Sequence, residues 1–244
     1  MTYIAVSGLS HVGLVRDSNE DSLVVGSWTL CGAQTGNPQT LAFPVGAPVV
    51  VAVADGLGGH PAGDVASSLV VRLLARAGQS LRGEEAIRQV LQECNQAVHA
   101  AAADSPRLMT MGTTVAGVVV TEEQVLAFNV GDSSVYRVVP DGVEQVSVDD
   151  RPSDGVLSRH TVLQTLGGSR EYTAVEPHVT GSPLSADDRY LVCSDGLSDV
   201  VTTDEIARIL HEHEDGPAAF ELWKAAIEGG GPDNITLAVI RLAE

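Results

Sequence analysis

Four aspartates of this chain stand at or just beyond the ends of predicted β-strands, each beside a glycine or a polar residue. They are Asp21 in RDSNED, Asp55 in VVVAVADGLGGH, Asp195 in YLVCSDGLSD and Asp233 in GGPDNIT. A carboxylate at the edge of a buried apolar sheet costs several kcal/mol, or shifts its pKa, unless a positive charge compensates it. Because the chain has 14 Lys and Arg against 32 Asp and Glu, we expect bound cations to compensate these four.

The oxygen chemistry of these side chains indicates which cations they would bind. Sets of oxygen ligands select Mg²⁺, Mn²⁺ or Ca²⁺ over zinc or copper. Two such ions about 3.5–4 Å apart activate water and clamp a phosphoryl group. Gly56 follows Asp55 and has no Cβ, so its carbonyl can approach an ion closely. Each Asp-Gly pair taken alone is more often a simple turn, and spacing alone does not exclude that interpretation.

The overall charge and the cysteines exclude several classes of protein. The formal net charge is −18 and Lys224 is the single lysine, whereas nucleic acids and anionic membranes attract basic surfaces. Cys31, Cys94 and Cys193 are too few and too widely spaced for a disulfide framework or a zinc site. No apolar stretch reaches the ~20 residues of a membrane span, and the N-terminal pattern is not that of a signal peptide. We therefore expect a cytoplasmic protein that neither binds nucleic acid nor inserts into a membrane.

Apolar, β-branched runs predict strands, and longer periodic segments predict helices. The strands are predicted at Ile4–Gly8, Ser22–Ser27, Val49–Ala54, Thr113–Val120, Val125–Val130, Val135–Val139, Arg189–Cys193 and Ile235–Arg241. The helices are predicted at about Asp64–Gly78, Glu84–Asp104, Asp204–His211 and Pro217–Glu228. Because helices come in pairs between groups of strands, the order favours an α+β fold with mainly antiparallel sheets.

Three segments carry turn signals. Leu30–Pro48 contains Gly, Pro, Asn and Gln and is predicted as a turn-rich insertion. Asp149–Gly168 is polar around two short apolar pieces and is predicted as a loop. Between Val125 and Gln145, apolar runs alternate with Gly-Asp-Ser and Pro-Asp-Gly, which predicts a three-stranded meander.

Further short motifs accompany the four aspartates along the chain. They are SHVG at 10–13, RDSNED at 16–21, DGLGGH at 55–60, Gly63 with Ala66-Ser67, MGTT at 111–114, GDS at 131–133, SDGL at 194–197 and DNIT at 233–236. In this order they resemble the type 2C (PPM) metal-dependent protein serine/threonine phosphatases, in their bacterial stand-alone branch. The resemblance implies a single catalytic domain over residues 1–244. It also implies two packed, mainly antiparallel sheets flanked by helices, a four-layer αββα sandwich.

The resemblance also implies ligands for the metal ions. Two core Mn²⁺ or Mg²⁺ ions would be held by the four strand-end aspartates and one backbone carbonyl: Asp21, Asp55, Asp195, Asp233 and Gly56. Asp132 would hold a weaker third ion, shared with Asp195.

Three further side chains receive roles from the resemblance. Glu20 would accept a hydrogen bond from a metal-bound water. Arg16 would clamp the substrate phosphate, because a guanidinium grips phosphate oxygens in a bidentate manner. The alternative for Arg16 is a salt bridge with Asp17 or Glu20. In the eukaryotic branch a general-acid histidine directly follows the Asp-Gly, whereas His60 stands four residues after Gly56, so catalysis and a structural or substrate contact both stay open for it.

The implied activity is hydrolysis of phosphoserine and phosphothreonine by metal-activated water. The implied partners are phosphorylated proteins, among them a cognate bacterial Ser/Thr kinase or its substrates, and a link to type VI secretion is a further possibility. The alternative is a pseudophosphatase that binds phosphoproteins without turnover, against which the complete aspartate set argues.

Two departures from the family pattern lie near the site. The usual Gly-Asp-Ser-Arg ends in Ser134, so any contact made by that arginine is missing. The segment Asp149–Gly168 is also shorter than the family's usual flap, which puts inherited ideas about substrate selection in doubt.

Overall fold

Uniformly apolar strands form the middle of this protein. The computed structural model describes residues 3–57, 62–152 and 161–243, and all statements about structure concern these ranges. Their strands, β1 to β15, are Tyr3–His11, Ser22–Val25, Trp28–Cys31, Gln39–Pro44, Val49–Ala54, Gly56–Leu57, Gly112–Thr113, Val115–Val120, Gln124–Val130, Ser134–Val139, Gly142–Gln145, Leu166–Gly167, His178–Pro183, Arg189–Cys193 and Ile235–Ala243. The helices, α1 to α5, are Ala62–Ala77, Glu84–Ala103, Asp195–Ser198, Thr203–Glu212 and Asp215–Glu228. None of these helices combines the length and the apolar composition that a bilayer crossing needs.

The described strands form two large antiparallel sheets. The first has the order β11-β10-β14-β15-β1-β4, and the second has the order β13-β9-β8-β5-β2-β3. A small sheet, β12-β7-β6, lies beside them. Antiparallel strands place the start of one strand next to the end of its neighbour, which decides where the predicted site residues meet.

Three apolar clusters hold the layers together. Val6 and Ile240 of the first sheet pack against Val51 and Val118 of the second. The outer face of the second sheet packs against α1 and α2. The outer face of the first sheet packs against α3, α4 and α5. The order helix, sheet, sheet, helix confirms the predicted α+β sandwich, and burial of these Val, Leu and Ile side chains contributes about 1.5–3 kcal/mol each.

Two predictions about local structure are wrong. The segment 30–48 is not only turns, because the end of β3 and all of β4 lie in it, and β4 pairs with β1. The predicted meander is split between the sheets, because β9 lies in the second sheet whereas β10 and β11 lie in the first. Gly131, Asp132 and Ser133 therefore cross from one sheet to the other.

The predicted loop 149–168 is only partly described. Its last residues form β12, which pairs with β7, so this end of the segment is a strand and not a loop. Residues 153–160 lie outside the described ranges.

Candidate active site

Strand pairing brings the predicted aspartates to one end of the sandwich. Asp21 precedes β2 and Asp55 follows β5, and these strands pair with Ser22 opposite Ala54. On the other sheet Asp233 precedes β15 and Asp195 follows β14, and these strands pair with Cys193 opposite Leu237. Each pair of carboxylates thus lies at a strand start and the adjoining strand end.

A cavity of about 240 Å³ opens at this end of the sandwich. Its lining residues are Arg16, Glu20, Asp55, Gly56, Leu57, Asp132, Val162, Asp195, Asp233 and Asn234. Seven residues singled out from the sequence are in this set, and Asp21 is buried at the same sheet edge. His60 lies outside the described residues.

Asp21 is held at the base of the site with one oxygen satisfied and the other not. The hydroxyl of Ser194 donates to Oδ2 of Asp21 over 2.8 Å. Oδ1 of Asp21 is buried and has no hydrogen-bond partner in the described structure. Burial, with the nearby charges of Asp195 and Asp233, raises the pKa of Asp21 to about 7 although hydrogen bonds oppose the shift. A buried acceptor without a partner costs about 1–3 kcal/mol, so this oxygen points to a missing positive partner.

The pKa values of the neighbouring carboxylates are also raised. Burial, reinforced by the charges of the surrounding aspartates, raises the pKa of Asp55 well above its ordinary value. Burial and the charges of Asp132, Asp199 and Asp233 raise the pKa of Asp195 to about 6. Like charges that share a desolvated site disfavour their ionised forms. The site therefore contains more negative charge than the protein itself neutralises.

Arg16 forms an ion pair within the cavity. Its Nη2 donates to Oδ2 of Asp233 over 2.7 Å, and the Arg16 side chain is 55% exposed. This bond, opposed by partial burial and assisted by the charges of Asp233, Asp55 and Glu20, raises the pKa of Arg16. The partner is neither of the acidic residues considered from the sequence as a salt-bridge partner, because the chain reversal after β1 places Arg16 opposite the start of β15.

Arg151 is a second guanidinium at the site, and sequence analysis missed it. Its Nε donates to Oδ2 of Asp132 over 2.8 Å, and its Nη1 and Nη2 donate to the two oxygens of Asp199 over 2.7 and 3.1 Å. Nη2 also lies 3.5 Å from Oδ2 of Asp195. The available signal was that Ser134 stands where the family pattern has an arginine, so any contact made by that arginine is missing near Asp132.

Asn234 was also missed, although it sits inside a recognised motif. The backbone N–H of Glu20 donates to its Oδ1 over 2.8 Å. Its Nδ2 donates to the carbonyls of Val12 and Ser18 over 2.9 Å each. One side chain therefore ties the loop that carries Arg16 and Glu20 to the start of β15.

Close backbone packing explains the glycines of the site. A Cβ on Gly56 would lie 2.3 Å from the carbonyl oxygen of Gly63, and a Cβ on Gly63 would lie 2.9 Å from the carbonyl carbon of Gly56. Real Cβ atoms do not approach other atoms so closely, so both positions require glycine. From the sequence, glycine at position 56 was explained by the close approach of its carbonyl to an ion, and that role stays a prediction.

The donor set fits a hard divalent cation in chemistry, though not in its present arrangement. No group of three or more Asp, Glu, His and Cys side chains among the described residues is arranged so that it could hold a metal ion as it stands. Guanidinium groups bind Asp233 and Asp132 instead. The unpartnered Oδ1 of Asp21 and the raised pKa values of Asp21 and Asp195 nevertheless indicate excess negative charge on these oxygens, which Mg²⁺ or Mn²⁺ would neutralise.

Comparison with known proteins identifies the family. The sequence profile described as protein phosphatase 2C matches residues 40–222. The chain belongs to the protein phosphatase 2C family. Among relatives of known sequence is the serine/threonine protein phosphatase PstP of Mycobacterium tuberculosis, which is 32% identical to this chain over 247 aligned residues. The alignment covers 94% of this chain and 43% of PstP. The chain thus spans less than half the length of that relative.

Solved structures with the protein phosphatase 2C fold superpose on the whole described chain. The catalytic domain of PstP in complex with two manganese ions has a TM-score of 0.80 and 30% identity, covering 100% of both chains. PppA, described as a key regulatory component of T6SS in Pseudomonas aeruginosa, has a TM-score of 0.79 and 28% identity, covering 99% of this chain and 100% of that one. The cavity between the sheets therefore lies in a framework shared with serine/threonine phosphatases.

Proposed function

We propose that this chain is a metal-dependent protein serine/threonine phosphatase that hydrolyses phosphoserine and phosphothreonine, with residues 1–244 as one catalytic domain. One observation carries the proposal: in a member of the protein phosphatase 2C family, Arg16 and three strand-end carboxylates line one cavity, and the fourth, Asp21, is buried at the same sheet edge. Phosphoryl transfer needs mainly positioning and charge stabilisation, and this cavity contains groups suited to both.

Two divalent cations, Mn²⁺ or Mg²⁺, would be held by four carboxylates and one carbonyl. These groups belong to Asp21, Asp55, Asp195, Asp233 and Gly56. Such cations supply Lewis-acid activation of water and neutralise phosphoryl charge. The related PstP catalytic domain in complex with two manganese ions supports this assignment.

Arg16, Glu20 and Asn234 are the polar residues that line the cavity beside the aspartates in the described part of the chain. The half-exposed guanidinium of Arg16 can leave Asp233 and grip two phosphoryl oxygens, since an exposed ion pair is weak and a bidentate phosphate contact is strong. Glu20 would accept a hydrogen bond from bound water at its carboxylate, and its backbone N–H is anchored on Oδ1 of Asn234.

His60 remains a candidate proton donor to the leaving alcohol. It lies outside the described residues, so its assignment rests on the sequence alone. The role predicted for Asp132, to hold a weaker third ion together with Asp195, also remains a prediction. Arg151 affects this role directly, because its Nε donates a hydrogen bond to Oδ2 of Asp132.

Phosphorylated proteins are the proposed substrates, and the cytoplasm is the proposed compartment. Likeness to the serine/threonine protein phosphatase PstP supports phosphoprotein substrates, and likeness to PppA supports a link to type VI secretion. A cognate Ser/Thr kinase or its substrates remain the predicted partners. The second candidate function is a pseudophosphatase that binds phosphoproteins without turnover.

Hydrolysis of p-nitrophenyl phosphate and of a phosphothreonine peptide tests the proposal. We expect turnover with Mn²⁺ or Mg²⁺, none in EDTA, and recovery when metal is restored. Asp55→Asn should be inactive, whereas Asp141→Asn, in an exposed turn between β10 and β11, should match the unmodified protein. Phosphopeptide binding without any turnover would favour the pseudophosphatase, and full activity in a demonstrably metal-free sample would refute the metal assignment.

A further inference from the structure

One guanidinium joins three carboxylates, of which Asp132 and Asp195 line the cavity. Arg151 binds Asp199 through two parallel bonds and binds Asp132 through Nε, with Asp195 at 3.5 Å. Bidentate guanidinium–carboxylate pairs are among the stronger and more geometrically defined polar contacts in proteins. Three acidic side chains therefore share a cation that belongs to the chain itself.

The backbone next to Arg151 is fixed independently of this cluster. Gly131 N–H donates to Oδ2 of Asp150 over 2.8 Å, and Asp150 N–H donates to the Gly131 carbonyl over 3.1 Å. His178 Nε2 and Gln164 Nε2 also contact the Asp150 carboxylate, at 2.9 and 3.0 Å. These bonds hold the start of the Arg151 side chain beside the Gly131–Ser133 crossing, one residue from Asp132.

The two guanidinium groups of the site differ in how they are held. Arg16 has one carboxylate partner and is 55% exposed, whereas Arg151 is 22% exposed. A guanidinium stays charged throughout the pH range in which proteins are folded, so Arg151 acts as a permanent cation. Asp199 is not one of the predicted metal ligands, so the bidentate pair with Asp199 holds Arg151 in place whether or not the core site is filled.

We propose that Arg151 is a tethered cation that takes the place of the weaker third metal ion beside Asp132 and Asp195. The inference rests on the proposed phosphatase function and makes its metal requirement more specific, because the enzyme would then work with two divalent ions and no third. A covalently attached guanidinium has a high effective concentration at the cluster, and a divalent ion must displace it to bind Asp132. The guanidinium also restores a positive neighbour to Asp132, which the serine at 134 does not supply.

Counting bound Mn²⁺ tests this proposal without measuring activity. Equilibrium dialysis with electron paramagnetic resonance of free Mn²⁺ would be applied to the unmodified chain, to Arg151→Met and to Arg151→Lys. Arg137→Met is the matched control, because Arg137 pairs with the buried Asp188 and does not line the cavity. Melting curves establish that each variant is folded.

We expect two bound ions in the unmodified chain and in the control, up to millimolar Mn²⁺. Arg151→Met should bind a third, weaker ion, and Arg151→Lys should bind it at least several-fold more weakly than Arg151→Met, because an ammonium keeps the charge without the fork. Three ions in the unmodified chain, or only two in both Arg151 variants, would overturn the inference. Binding of no ions by any variant would instead refute the proposed function.

Discussion

The Ser194 hydroxyl donates to Oδ2 of Asp21 although the two residues are 173 positions apart in the sequence. This bond crosses between the two sheets, since Asp21 precedes β2 in the second sheet and Ser194 follows β14 in the first. It satisfies one oxygen of Asp21 and leaves Oδ1 buried without a partner. The charge state of Asp21 therefore links the stability of the protein to pH and to metal.

Lowering the pH should stabilise the EDTA-treated protein. The folded-state pKa of Asp21 is about 7 against an ordinary 3.8, so the folded state binds this proton more tightly than the unfolded state. The free energy of unfolding should then fall as pH rises from about 4 to about 7 and level off above, by about 4 kcal/mol for this group. Urea denaturation between pH 4.5 and 8 measures the slope.

Asp21→Asn is the control for the pH experiment, because its side chain is neutral throughout. The variant should lose the part of the slope that Asp21 contributes, while titrations elsewhere in the protein remain. Identical slopes in the two proteins would show that Asp21 has an ordinary pKa. Saturating Mn²⁺ should remove most of the slope near neutral pH, since cations then replace protons at the cluster.

Asp55→Asn should abolish turnover and stabilise the EDTA-treated protein. The substitution removes one negative charge from a buried group whose pKa is raised by burial and by its carboxylate neighbours. We expect a rise in Tm of roughly 2–4 °C, equivalent to about 1 kcal/mol for a chain of this size. With Mn²⁺ present the unmodified protein should have the higher Tm, because metal binding stabilises its folded state. A lower Tm for the variant in EDTA would contradict the charge argument.

Arg16→Ala should raise KM more than it lowers kcat. Loss of a bidentate, charge-assisted phosphate contact costs on the order of 2–4 kcal/mol, or roughly 30- to 1000-fold in kcat/KM. Arg16→Lys should recover only part of this loss. Steady-state kinetics on a phosphothreonine peptide measure both constants.

The melting curve of the same Arg16→Ala sample separates substrate binding from structure. Because the pair with Asp233 is half-exposed, its contribution to stability is about 0–1 kcal/mol, and Mn²⁺ affinity should be no weaker than in the unmodified protein. A large drop in Tm with a normal KM would assign Arg16 to structure alone.

Asn234→Ala should destabilise the protein and weaken catalysis together. The side chain makes three hydrogen bonds to the backbone of Val12, Ser18 and Glu20, each contributing about 1 kcal/mol. We expect a loss of roughly 2–3 kcal/mol in urea denaturation, with a higher KM because Arg16 and Glu20 lie on the released loop. Asn234→Asp keeps the acceptor for Glu20 but places a carboxylate oxygen against the carbonyls of Val12 and Ser18. In a site already rich in negative charge, it should destabilise the protein at least as much as Asn234→Ala.

Sequence reasoning located the strands that are buried on both faces. Val49–Ala54 and Arg189–Cys193 were predicted with the observed bounds, because a short, uninterrupted apolar run is typical of a strand covered on both sides. The aspartates that follow these strands were found for the same reason, and the structure places both on the cavity.

Edge strands and long-range side-chain contacts escaped prediction. Gln39–Pro44 and His178–Pro183 lie at the edges of the two sheets, are largely exposed, and contain polar residues and proline, which edge strands tolerate. Neither has an apolar pattern that distinguishes it from a loop. Arg151 escaped for another reason: its partners lie 19 to 48 positions away, and no local pattern records such a contact.

The pairing of β1 with β15 sets an order of events for the growing chain. Tyr3 pairs with Ala243 and His11 with Ile235. The strand β1 therefore cannot pair with β15 until almost all of the described chain has been synthesised. Contacts between residues so far apart in the sequence form late, because closing a long loop costs conformational entropy before the contact itself can stabilise the fold. We expect amides of β1 and β15 to gain protection last in pulsed hydrogen-exchange refolding, later than those of β5 and β8. A ribosome-bound fragment that ends before Asp233 would contain Asp21 and Asp55 without Asp233 and without β15, and we expect it to show no phosphatase turnover until synthesis has passed that strand.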